Sequence, residues 1–270
     1  MTIILGGNQG QFGDLLMMTV VARAIKEKFP SSKYILGINK KYWDIEPLFR
    51  FHPYIDKIIQ WDGYDNFPTQ NDINLFNEIK PDIFLNPMSK HPNEHCWFNL
   101  VKHQTEAMCI QNGFSPPSDL SCYLNKYFLP NFKYSNYVCI APFTAWEKKN
   151  ISNQKWQKII DFIYSKGMKV LQIGATNEFK FKNTEKEDFN YFESVKAMLS
   201  CRMLITLDGG MNWVASAYQQ KVLALMGFHY EGLETSKLYQ PINKNAIYLE
   251  SNRAENINDN LILKTIEIML

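Results

Sequence analysis

Short runs of β-branched and other apolar residues alternate along this chain with longer stretches whose apolar positions recur every three or four residues. That alternation predicts strands and helices in turn. Ile3–Leu5 predicts a first strand, followed by the loop Gly6-Gly7-Asn8-Gln9-Gly10-Gln11-Phe12-Gly13. Asp14 is placed to cap a helix whose apolar positions Leu15, Met18, Val21, Ala22 and Ile25 share one face. Tyr34–Ile38 predicts the next strand and Ile55–Ile59 a further short apolar run. Leu75–Ile79 reads as a helix that stops before Pro81, and Ile83-Phe84-Leu85 as a buried strand. Strand, helix, strand in this rhythm predicts βαβ units and a parallel sheet.

The rhythm then restarts. Tyr137–Ala141 predicts a strand, and Gln154–Tyr164 a helix with Trp156, Ile159, Ile160 and Ile163 on one face. Gly167 stands where a helix stop belongs. Lys169–Ile173, Met203–Leu207, Val222–Leu225 and Ala246–Leu249 predict strands; Phe192–Leu199, Asn212–Tyr218 and Ile257–Met269 predict helices. Between the two series, Tyr123–Asn136 contains Pro130 and no clear period, which puts a domain junction near residue 130. The expectation is two α/β domains, 1–130 and 131–270, each a doubly wound Rossmann-like parallel sheet, facing each other across a cleft. The closing helix is free to pack back on the first domain. In such sheets ligands sit at the carboxyl ends of strands.

Composition narrows the class. The 270 residues are 46% hydrophobic, 21% charged and 14% aromatic, an ordinary globular mixture. A net charge of +2 sets up no strong overall field and does not suggest a nucleic-acid partner. Five cysteines are scattered without a Cys-x-x-Cys pair, the pattern of reduced thiols in a cytoplasmic protein. No apolar run approaches the roughly 18–20 residues needed to span a bilayer, and the N-terminus lacks the basic start of a secretory signal. Peripheral membrane contact is left open.

Three segments carry candidate chemistry. In Asp208-Gly209-Gly210-Met211-Asn212-Trp213 an apolar strand ends at an acid, two glycines turn the chain and a helix begins. Unpaired amides and the positive helix end suit a diphosphate there, and glycine lets a ligand approach the backbone. Asp208 itself repels phosphate, and its part is to accept from loop amides or a sugar hydroxyl. The same segment also reads as a plain strand-to-helix turn. In Pro142–Ser152, Thr144 and one or two lysines at a strand's carboxyl end complement the same diphosphate, or form a solvated loop. Gly13-Asp14 offers a carboxylate on a Gly-rich loop as general base for an acceptor hydroxyl, or a helix cap. The loop matches neither Walker A nor Gly-x-Gly-x-x-Gly. His91, His95, Cys96 and His103 lie near one another in sequence, but no acid completes a metal-binding pattern and Pro92 breaks a helix there. No metal and no cofactor are expected. Two of these histidines read as acceptor-side polar groups, His91 among them, or as surface residues.

Several of these blocks together resemble the heptosyltransferases, glycosyltransferase family 9. The resemblance runs through Gly13–Pro30, His52-Pro53-Tyr54-Ile55-Asp56-Lys57-Ile58-Ile59, Lys80-Pro81-Asp82-Ile83, Lys149-Asn150-Ile151-Ser152 ahead of Trp156, Gly174-Ala175-Thr176-Asn177-Glu178, and Asp208–Ala217. It implies the GT-B architecture, with the acceptor in the N-terminal half and the donor in the C-terminal half. It further implies metal-independent, inverting transfer from a nucleotide-diphospho-sugar to a glycan or glycolipid acceptor, as in lipopolysaccharide and other surface-glycan synthesis. Carried over by position, Asp14 is the base, with Gly13, Gln11 and His91 on the acceptor side. Thr144, Lys149, Gly209, Gly210, Met211 and Trp213 bind the donor; Glu178 holds its ribose, and Asp208 its sugar or the loop. The chain departs from the family's Asp-Ser/Thr-Gly-x-x-His, reading Asp208-Gly209-Gly210-Met211-Asn212-Trp213. That departure keeps two alternatives open: a nucleotide-sugar-binding protein of weakened or lost activity, and a nucleotide-sugar epimerase or hydrolase.

Overall fold

The computed structural model describes residues 2–6, 12–63, 69–85, 102–125, 132–144, 146–227 and 235–270. Chain contacts divide the protein into two compact units, Met1–Lys126 and Tyr127–Leu270.

The first unit contains β1 (Ile3–Gly6), α1 (Phe12–Lys28), β2 (Lys33–Asn39), β3 (Lys57–Trp61), α2 (Gln70–Ile79), β4 (Ile83–Leu85) and α3 (Gln104–Gln111). Its sheet is parallel throughout, in the order β3-β2-β1-β4. The chain therefore leaves β1 in one direction through β2 and β3, then returns to its other side at β4. Helix α1 is more deeply buried than a one-faced pattern predicts. Leu16, Met17, Val20, Arg23 and Ala24 are buried along with the expected stripe. The sheet covers one side and α3 packs on another. The irregular run 119–123 is tied on as well: Arg23 donates to Asp119 O, and Thr19 Oγ1 accepts from Tyr123 N at 3.1 Å. One expectation needs correcting. Asp14 does not cap α1, because the helix begins at Phe12 and Asp14 is its third residue, buried in the first turn. An acid in that turn still complements the positive helix end.

The second unit runs β5 (Tyr137–Ala141), α4 (Asn153–Ser165), β6 (Lys169–Gln172), β7 (Thr184–Lys186), α5 (Tyr191–Ser200), β8 (Met203–Leu207), α6 (Gly210–Ala217), β9 (Val222–Gly227), β10 (Ala246–Ser251) and α7 (Asp259–Met269). Its parallel sheet has the order β10-β9-β8-β5-β6-β7. Winding proceeds from β5 outward through β6 and β7. It then restarts on the other side of β5 at β8 and continues through β9 and β10. Right-handed crossovers on opposite sides of that reversal put α4 and α6 on opposite faces. Val138, Ile140, Ile205, Leu207, Leu223 and Leu225 form one core with Trp156, Ile159, Ile160 and Ile163 of α4. Ile262, Ile266 and Met269 of α7 join the same core, so the closing helix packs on α4 of its own unit. Gly167 takes φ +76° just past α4, a left-handed conformation that glycine enters without a Cβ penalty.

Candidate functional site

The point where strand order reverses in the second unit lies between β5 and β8, and the loops leaving those two strands carry the candidate donor residues. In open parallel sheets such a switch point leaves a crevice, because the connections on its two sides depart in opposite directions. Thr144 follows β5; Asp208, Gly209 and Gly210 follow β8. They meet directly: a Cβ on Gly209 would stand 3.3 Å from Thr144 Cγ2. The threonine methyl thus fills the space that a larger residue at 209 would take. Gly209 also caps α6 without any side-chain hydrogen bond. Asn212 N donates back to Gly209 O at 3.0 Å, which leaves the amides of Gly210 and Met211 without a partner inside their own helix.

Lys149 reaches this turn from the β5–α4 loop. Its Nζ lies 2.7 Å from Asp208 Oδ2, with the side chains 17% and 7% exposed. The same ammonium lies 4.9 Å from the centre of the Trp146 ring. Withdrawing both charges from water costs much of what their attraction returns, so such a pair is a weak stabiliser of the fold. It does hold a cation ready at the switch point. The Lys149 ammonium is thus one partner of the Asp208 carboxylate.

The loop that presents Lys149 is stapled by Asn150, a residue whose part in the loop no motif marks in the sequence. Thr144 N donates to Asn150 Oδ1 at 2.9 Å, and Asn150 Nδ2 donates to Thr144 O at 3.3 Å. Thr144 Oγ1 donates to Trp146 O at 3.0 Å. Behind the loop, Ser152 caps α4, and its N and Oγ both bond the Glu255 carboxylate. Side-chain-to-backbone staples of this kind leave no periodic trace, so a pattern search passes over them.

Glu178 lies on the loop after β6, the neighbour of β5. It is half-buried, and burial pushes its carboxyl above the usual carboxylate range. Its Oε2 is buried and accepts no hydrogen bond from the described residues. Trp213 lies one turn into α6 and is 5% exposed. Its buried indole therefore stands where the family pattern has a histidine.

In the first unit, Gly13 and Asp14 open α1 beyond the carboxyl end of β1, which lies at that sheet's own reversal between β1 and β4. Gln11 and His91 lie outside the described residues, as do His95, Cys96 and loop 7–11. His103 is described, and caps α3 by accepting from Thr105 N at 3.3 Å. Among the described residues no three His, Cys, Asp or Glu side chains gather to hold a metal ion. None of the described helices is long and apolar enough to cross a membrane.

No protein-family model matches this sequence, and no curated protein does. Solved structures do match its fold. A glycosyl transferase of family 9 from Veillonella parvula superposes with a TM-score of 0.78 at 16% identity, covering 99% of this chain and 97% of that one. The E. coli ADP-heptose lps heptosyltransferase II gives 0.73 at 11% identity, covering 100% and 98%. E. coli heptosyltransferase WaaC, solved with ADP, gives 0.72 at 12% identity with full coverage of both chains. The fold is thus the GT-B fold of family 9 glycosyltransferases, two Rossmann-like parallel-sheet domains in one chain.

Proposed function

We propose that this protein is an inverting glycosyltransferase that takes a sugar from a nucleotide-diphospho-sugar, without a metal, and passes it to a hydroxyl of a glycan or glycolipid during surface-glycan synthesis. The observation that carries the reading is the Lys149–Asp208 pair, held beside Thr144 and the uncapped first turn of α6 at the β5/β8 reversal. A diphosphate entering there competes with Asp208 for the ammonium, and the Gly210 and Met211 amides share its charge. As the sugar leaves, negative charge grows on the diphosphate, and the same groups stabilise it without reorganising.

In the first half, Asp14 takes the proton of the acceptor hydroxyl. The acceptor oxygen forms its bond to the anomeric carbon, and the bond from that carbon to the diphosphate oxygen breaks on the opposite face. Its electron pair leaves with the nucleotide, and the configuration inverts. Glu178 accepts from the ribose hydroxyls, and Gly13 lies beside Asp14 on the acceptor side. The free, buried thiols of Cys109, Cys122, Cys139 and Cys201 support a cytoplasmic setting. The fold shared with a heptosyltransferase solved with ADP supports a nucleotide donor.

One observation favours a second reading. The buried Trp213 offers no imidazole to the phosphates, which suits a protein that binds nucleotide sugars without turning them over. Calorimetric titration with ADP, GDP, UDP and CDP tests the shared part: one or more bind saturably, and Lys149→Ala weakens binding at least tenfold, the worth of one charge-assisted contact at about 1.4 kcal/mol. An absence of binding across the panel contradicts both readings. Asp14→Asn separates them, since a transferase loses turnover and keeps donor affinity. Nucleotide release without acceptor, at the full rate, points instead to a hydrolase or epimerase.

A further inference from the structure

The loop between β6 and β7 has no regular structure of its own, and one cation gathers it. Lys186, the last residue of the edge strand β7, donates from Nζ to Glu178 O at 2.7 Å and to Ala175 O at 2.8 Å, with Thr176 O at 3.4 Å. Thr176 Oγ1 is hydrogen-bonded to Asp188 from the same side. The far end of the loop is fixed separately: buried Gln172 donates to Phe179 O at 2.7 Å and accepts from Phe181 N at 3.1 Å. Glu178 packs so closely over Gly174 (φ +149°) that any Cβ there would collide with its Oε2. That oxygen is buried and accepts no hydrogen bond from the described residues. A buried acceptor without a donor is costly, and a ligand hydroxyl is the kind of group that would relieve it. Burial raises the Glu178 carboxyl; a backbone contact to Ala175, and after it the Lys186 charge, oppose that rise.

Resting on the nucleotide-sugar reading above, we infer that Lys186 is a positioning residue that shapes the 174–178 turn and holds the Glu178 carboxylate as acceptor for the vicinal hydroxyls of the donor's ribose. Lys186 touches no phosphate in this assignment. Its effect belongs to the ribose end of the donor alone, whereas Lys149 acts at the diphosphate end.

The test is titration of the full-length chain with ADP, GDP, UDP and CDP, each beside its 2′,3′-dideoxy counterpart, and with inorganic pyrophosphate. The wild-type chain prefers the ribose form, and Glu178→Ala removes that preference. Lys186→Met reduces it roughly tenfold, the scale of one charge-assisted hydrogen bond, and leaves pyrophosphate affinity unchanged. Lys186→Arg restores part of it. If Lys186→Met keeps the full preference, or loses pyrophosphate affinity in step with nucleotide, the inference is overturned. A wild-type chain that binds no nucleotide, or a Lys149→Ala chain that binds pyrophosphate as well as wild type, overturns the donor reading and this inference with it. An unreduced ribose preference in Lys186→Met, obtained with Lys149→Ala behaving as expected, overturns the inference alone.

Discussion

Asp208 and Lys149 show how one pair of side chains serves position more than stability. Because both are mostly withdrawn from water, removing only one leaves the other buried and uncompensated. Asp208→Asn is therefore expected to cost about 3 kcal/mol, read as a lower midpoint in denaturant with an unchanged slope. His52 makes a second prediction, in the first unit. It is 4% exposed, and burial, opposed by a backbone contact to Tyr123 and aided by the Arg23 charge, pulls its imidazole down to about 4. Its ring accepts from Tyr54 N at Nδ1, 3.1 Å away, an acceptor role that needs the neutral form. Unfolding returns the group to its ordinary value near 6.5, so between pH 6.5 and 4 the unfolded chain binds the extra proton. The contribution is complete above pH 6.5 and falls away as pH drops toward 4, by about 3 kcal/mol in all. Thermal melts from pH 7 to 4.5 should show this slope, and His52→Gln should flatten it. An equal slope in both proteins contradicts the assignment.

At the scale of elements, the long amphipathic pieces were legible and the short polar ones were not. The stripe Trp156, Ile159, Ile160 and Ile163 gave α4, and the apolar runs gave β5 and β8 at their observed bounds. Among the elements that escaped, three show why. The α3 helix carries polar residues all round, β7 is the three-residue Thr-Glu-Lys edge, and the 3-10 stretch Lys40–Leu48 contains Pro47. None has a period to read, because tertiary contacts rather than an apolar face hold them. The Gly174-Ala175-Thr176-Asn177 run leading to Glu178 could be placed after a strand. Its fastening by Lys186 and Gln172 could not, since those contacts span 7 to 11 residues with no repeating pattern. Gly174→Ala tests the loop as a unit. The added methyl collides with Glu178 at a φ that disfavours side chains, so nucleotide affinity should fall while pyrophosphate affinity holds. Equal loss of both would show that the loop does not act separately from the Asp208–Gly210 turn.

For the whole molecule, the order of strands says more about function than any single motif. Two parallel sheets, each reversing beside its first strand, place Asp14 beyond β1 and the Thr144–Lys149–Asp208 group beyond β5 and β8. The βαβ rhythm makes the sheets parallel, which is why the α/β architecture could be read from the sequence; crossover handedness does not fix the order of the strands, which only the coordinates supply. The family histidine could be seen to be missing, but only coordinates show that Trp213 is buried and that Thr144 fills the space beside Gly209. The central claim is that a diphosphate docks on the first turn of α6 and draws Lys149 from Asp208. A crystal structure of the protein soaked with the nucleoside diphosphate that binds best tests it most directly. The account predicts phosphate density within hydrogen-bond reach of the Gly210 and Met211 amides, with the Lys149 ammonium turned onto it. Density elsewhere, with the Lys149–Asp208 pair undisturbed, would contradict it.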